Sequence, residues 1–105
     1  MSEDLKQSGE ALPKELQNLI TTYEGASEDR WIEWSKEWDL ETTRLIRNTA
    51  VAVLQLGEES RKAKRKEGID LHNDGSPESA LTAPLFFISE AALKRIESGL
   101  NQVIT

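Results

Sequence analysis

The sequence predicts an all-α fold, a small helical bundle with one long central helix at about residues 28–66, flanked by a short N-terminal and a C-terminal helix. Three observations carry that expectation. Apolar residues recur at helical spacing in three segments. The three tryptophans, Trp31, Trp34 and Trp38, stand within eight residues of one another. No proline falls between Pro13 and Pro77. On a helix advancing about 100° per residue, the three indoles share an arc of roughly 60°.

Residues 1–11 are polar and include Ser8-Gly9, so they read as a flexible tail preceding a single helical domain at 12–105. The first helix should open at Leu12-Pro13-Lys14-Glu15. Proline suits the first helical position, where its missing N–H would be unpaired anyway. Leu12, Leu16, Leu19, Ile20 and Tyr23 then keep helical spacing, and Gly25 is a stop signal.

Ser27 is a favourable N-cap for the second helix. Glu28 and Asp29 in its first turn suit the positive end of the helix dipole. With Trp31 at zero, Leu45 stands at about 320°, Ala52 at about 300°, Leu56 at about 340° and Ala63 at about 320°. A stripe in phase from Trp31 to Ala63 implies one continuous helix of roughly 60 Å, ending near Gly68. Asp39 and Gly57 are the two positions where it could break. The run Ala50–Leu56 also suits a strand, as does Leu85-Phe86-Phe87-Ile88. The alternative fold is therefore α+β, with short strands near 50–56 and 84–88.

Residues 68–84 read as a loop, because they contain Asn73-Asp74-Gly75-Ser76-Pro77 and Ala83-Pro84. Ser89 is an N-cap candidate for the last helix, which places Ala92, Leu93, Ile96, Leu100, Val103 and Ile104 on one face. Gly99 should weaken that helix by roughly 1 kcal/mol relative to alanine. In this reading, two short helices cannot cover a seam of roughly 60 Å. A homodimer or a helical partner is therefore expected on it.

The composition excludes several chemistries. There is no cysteine, hence no disulfide, thiolate metal site or cysteine nucleophile. With no disulfide framework and an acidic N-terminus unlike a signal peptide, a cytoplasmic location is the expectation. No apolar run approaches the ~20 residues that span a bilayer, so no membrane contact is expected. The net charge is −6, unevenly spread. Residues 1–60 hold six Lys/Arg against thirteen Asp/Glu, residues 61–67 five against one, and residues 68–105 two against five.

Two constellations are candidates for function. Trp31, Trp34, Trp38 and Leu45 form an aromatic and apolar face that serves as core, as a binding hot spot, or as both. Arg61, Lys62, Lys64, Arg65 and Lys66 form a basic block. At a helix C-terminus it complements the dipole, and at a surface it could meet phosphate or an acidic protein. The acidic remainder of the chain makes nucleic-acid binding through 61–66 weak and salt-dependent.

Other motifs carry less. Asp70, Asp74, Gly75 and Glu78 match four positions of a calcium loop, but His72, Pro77 and Leu81 spoil three others, so a plain turn is the reading. His72, the single histidine, lacks partners for a zinc site or a catalytic triad. Glu33, Glu37 and Glu41 form a row at i, i+4, i+8 that reads as a solvated face. The expectation is a non-enzymatic protein–protein interaction module (adaptor, assembly factor or regulatory subunit) with no catalytic residues, cofactor or metal. The alternatives are a phosphate or nucleic-acid contact through 61–66, and an acidic inhibitor of a basic target.

Overall fold

The computed structural model describes residues 12–104, and the expected tail at 1–11 lies outside them. Among the described residues, six α-helices and one 3-10 turn follow in order: α1 (Lys14–Gly25), α2 (Glu28–Ser35), α3 (Leu40–Leu54), α4 (Glu58–Asn73), α5 (Pro77–Thr82), the 3-10 turn Ala83–Phe86, and α6 (Glu90–Ile104). The all-α class holds. There is no strand among the described residues, so 50–56 is largely helical and 85–88 continues from the 3-10 turn into a bend.

The long central helix does not form. It is three helices, α2, α3 and α4, and the longest dimension of the molecule is 48 Å. The breaks fall at Asp39 and Gly57, both with extended backbone. Asp39 Oδ1 accepts the Thr42 N–H at 2.8 Å, so this side chain caps α3 instead of continuing α2. Aspartate offers the backbone that alternative wherever it stands, which makes it a good cap and a poor interior residue. Ahead of it, the N–H groups of Lys36, Glu37 and Trp38 donate to the carbonyls of Glu33, Trp34 and Ser35, which tightens the end of α2.

The break also resets the phase. The buried residues of α3 are Thr43, Ile46, Ala50 and Val53. In the frame of a continuous helix they would stand at about 120°, about 60°, about 100° and about 40°. The kink thus turns the buried face by roughly 100° from the tryptophan stripe. Leu45, in phase with the tryptophans on paper, is 36 % exposed, and Ala52 and Ala63 are exposed as well.

Helix α6 is the hub. It packs against both α3 and α2, and its Ala92, Leu93, Ile96 and Leu100 are fully buried. One core cluster joins these residues to Tyr23, Trp31, Ile46, Ala50, Val53, Leu85 and Ile88. Because α2 and α3 fold onto one helix, no over-long seam is left uncovered, and that argument for a homodimer falls away. Helix α1 packs chiefly against the 3-10 turn and meets α2 through Tyr23.

The loop expected at 68–84 is mostly helical. Only residues 74–76 separate α4 from α5, with Gly75 in the left-handed region at φ 87°. Ser76 caps α5 by accepting the Ser79 N–H, and Pro77 takes the first helical position. Pro13, by contrast, is the N-cap of α1 and not its first residue. Gly68 is no helix end either. It is buried in mid-α4, where an added Cβ would lie 2.8 Å from Phe86 Cδ2 and 3.1 Å from the Ala83 carbonyl oxygen.

The start of α6 is tied to the α1–α2 junction. Ser89 Oγ accepts the Ala92 N–H, and both Ser89 N–H and Oγ–H donate to the Glu24 carboxylate. Arg95 donates to the carbonyls of Ala26 and Glu24. The two hydrogen bonds from Ser89 hold the Glu24 carboxyl below the usual carboxylate range. The stabilising effect of this charge is therefore complete above the unfolded carboxylate pKa and is lost as pH falls through the lower folded value.

Glu24→Gln should cost about 1 kcal/mol at neutral pH. In urea titrations the gap from the parent should close as pH falls below the carboxylate range; a gap independent of pH would show that the charge on Glu24 is immaterial. At Gly99, an added Cβ would lie 2.9 Å from the Glu28 carbonyl oxygen. Gly99→Ala should therefore destabilise by about 1–3 kcal/mol despite alanine's better helix propensity, a sign that a thermal melt reads directly.

Candidate functional site

Trp31 lies at the centre of an aromatic cluster built from α1, α2 and the turn after α2. It has no solvent exposure. Its ring meets Tyr23 edge-on with centroids 4.7 Å apart, and Trp34 edge-on at 4.9 Å. Trp38 lies 6.4 Å away, tilted by 55°. Edge-to-face pairs of this kind add to the energy of burial. The Trp31 Nε1–H is buried without a hydrogen-bond partner, a cost that the surrounding apolar contacts must offset.

The three indoles thus divide. Trp31 belongs to the core. Trp34 and Trp38 are half-buried and form one wall of a surface groove of about 270 Å³. The groove is completed by Leu19, Thr22 and Tyr23 from α1, by Glu37 from the turn, and by Leu81 from α5. Tyr23 anchors its floor by donating its hydroxyl to the Leu81 carbonyl at 3.1 Å. Burial pushes the Tyr23 phenol up to about 12, so it stays a neutral hydrogen-bond donor at physiological pH. The Arg30 guanidinium stands over Trp34, 5.9 Å from the ring centroid.

Leu45, the fourth residue of the expected face, does not line this groove. A second apolar hollow of about 300 Å³, lined by Asn48, Thr49, Ala52, Val53, Leu56, Lys64 and Phe86, lies between α3 and α4.

The basic block is spread around α4, not gathered at its end. Arg61 donates to Glu90 at 3.1 Å and Arg65 to the Phe86 carbonyl at 3.1 Å, so both guanidinium groups fasten α4 to its neighbours. Lys64 pairs with Glu67 at 3.2 Å. Lys62 and Lys66 are exposed and make no ion pair among the described residues. Of the five cations of the block, Lys62 and Lys66 are thus the two without an internal ion pair or backbone contact among the described residues.

The carboxylate row is broken up as well. Glu33 lies on α2 and pairs with Arg30, Glu37 is in the turn, and Glu41 is in the first turn of α3. Asp70 and His72 lie within α4, while Asp74 accepts from Ser76 and Ser79. No group of three or more His, Asp or Glu residues is placed to hold a metal ion among the described residues.

Sequence reasoning missed His72 as a packed residue. Its side chain is 10 % exposed, its Nε2 lies 3.8 Å from Glu15 Oε1, and its Nδ1 is buried without a partner. It lines a further hollow of about 370 Å³ with Glu15, Asn18, Leu19, Thr22 and Ala80. No helix among the described residues is long and apolar enough to cross a membrane. Comparison with protein-family models, with curated proteins and with solved structures returned no match.

The split of the tryptophans has a direct consequence. Trp31→Ala should cost about 3–5 kcal/mol, whereas Trp34→Ala and Trp38→Ala, which remove partly buried rings, should each cost less. Acrylamide should quench two emitters and spare one, and Trp31→Phe should remove the protected component. Uniform protection of all three would contradict the groove.

Proposed function

We propose that the protein is a non-enzymatic protein–protein interaction module, acting as an adaptor, assembly factor or regulatory subunit in the cytoplasm, and that its docking surface is the groove walled by Trp34 and Trp38. One observation carries the reading. Two large aromatic side chains are only partly buried beside an apolar floor, while the third indole behind them is locked in the core. Tryptophan is strongly enriched among the residues that dominate binding energies, and such anchors work best when the free protein already holds them in place. Here the edge-on contact of Trp34 with Trp31 provides that pre-organisation.

The competing readings draw less support. A phosphate or nucleic-acid contact through 61–66 would rely on side chains of which three already make hydrogen bonds within the chain. An enzyme would need convergent polar groups, and the groove around the tryptophans has one carboxylate, with its phenol and its Thr22 hydroxyl each donating to a backbone carbonyl.

The test is site-specific photo-cross-linking in cells, with the reactive group at Thr22 on the groove rim and, as control, at Ser60 on the outer surface of α4. A product formed from position 22 alone, and lost when Trp34 and Trp38 are both changed to alanine, is the expected result. Equal products from both positions, or a product indifferent to the tryptophans, would remove the groove as the docking surface.

A further inference from the structure

The hollow walled by Trp34 and Trp38 and the hollow over His72 share Leu19 and Thr22. They are two parts of one groove along α1. From Glu15 to Tyr23 the helix rises about 12 Å, close to two turns of a second helix laid beside it. The apolar lining is Leu19 where the two parts meet, Leu81 and the two indoles in one part, and Ala80 in the other. Each end carries a carboxylate, Glu15 at one and Glu37 at the other, and no Lys or Arg lines either part among the described residues. Glu15 is 88 % exposed, so its charge is available to a ligand.

We propose that this groove takes a short, basic amphipathic helix of a partner protein. The proposal rests on the reading of the groove as a docking surface and names its occupant. Charge sets the sign. A ligand helix with Lys or Arg flanking its apolar stripe meets a carboxylate at each end of the groove, and the chain's net charge of −6 favours its approach from a distance. Backbone chemistry sets the conformation. The groove is walled by helices whose own N–H and C=O groups are used internally, so it offers no ladder to an extended peptide, whereas a helix satisfies its own backbone. Two apolar side chains at i and i+4 or i and i+7 of such a helix would fill the Trp34–Trp38 end and the Ala80 end in turn.

The full chain should be titrated with a synthetic Leu/Lys amphipathic peptide of about 14 residues, following tryptophan emission and, for every variant, the anisotropy of a dye on the peptide, against the same peptide with Gln in place of Lys and one with Glu. The Lys peptide should shift the emission to the blue and bind more weakly as salt rises. Glu15→Lys combined with Glu37→Lys should weaken it about tenfold, and Trp34→Ala with Trp38→Ala should abolish the binding. If the Gln peptide binds as well as the Lys peptide, the choice of a basic occupant is overturned while the groove survives as a docking surface. Lys-peptide binding that is unchanged in the double tryptophan variant would reflect attraction to the acidic surface at large and would overturn both readings. Concentration-dependent dimerisation in sedimentation, with Trp34 and Trp38 protected, would assign the groove to a second copy of the chain and overturn the proposal.

Discussion

The Trp31 indole, with no solvent exposure, is held edge-on by Tyr23 on one side and by Trp34 on the other. The architecture around it follows from that burial. Tyr23 brings α1 to α2, and the same ring, through its hydroxyl on the Leu81 carbonyl, brings α5 to both. Trp34 and Trp38 are then held at the edge of the core with one side in water. Moving Trp31 outward would release three elements and open the groove at its floor. A single large side chain can have this reach because an interior packed at crystal-like density transmits displacement to every neighbour.

The second organising constraint is the close approach of backbones to α6. Gly99 lets the Glu28 carbonyl come to within 2.9 Å of where a Cβ would stand, at the first turn of α2. Four and ten residues earlier, Arg95 and Ser89 tie α6 to the carbonyls of Glu24 and Ala26 and to the carboxylate of Glu24. The junction between α1 and α2 is therefore gripped by α6 at two levels, which fixes the angle at which the aromatic cluster is presented. In isolation a glycine inside a helix only weakens it; here the lost propensity is exchanged for a contact that no larger residue allows.

The electrostatics of the surface follow from which charges the fold uses internally. Arg61 and Arg65 are spent on fastening α4 to the segment 86–90, so the densest basic run in the sequence is not a basic patch of equal strength in space. The carboxylates that flank the groove, by contrast, stay in water. Glu15 is 88 % exposed, and its histidine neighbour stands 3.8 Å away. A groove with an aromatic wall and a carboxylate at each end is assembled from residues that lie far apart in sequence, on α1, α2, the turn after α2, α4 and α5.

Local chemistry made much of this molecule legible in its sequence. Ser27 and Ser89 cap the helices they precede, Asp39 and Gly57 stand at the two breaks, and the periodicity of residues 92–100 marks the buried face of α6. Those features depend on a few neighbouring residues, and the side chains alone determine them. What only the tertiary structure decided is whether a stripe that stays in phase is one helix or several. An apolar stripe records which residues seek burial, and it looks the same whether they face one long partner or fold back onto a short one. Here the cap at Asp39 and the packing of α2 and α3 onto α6 turned the buried face by roughly 100°, exposed Leu45, and buried Ile46 in its place. The 3-10 turn at Ala83–Phe86, the burial of Gly68 and the meeting of Glu15, His72, Trp34 and Trp38 along one groove are of the same kind. Each depends on contacts between residues far apart in the chain, and no local pattern encodes them.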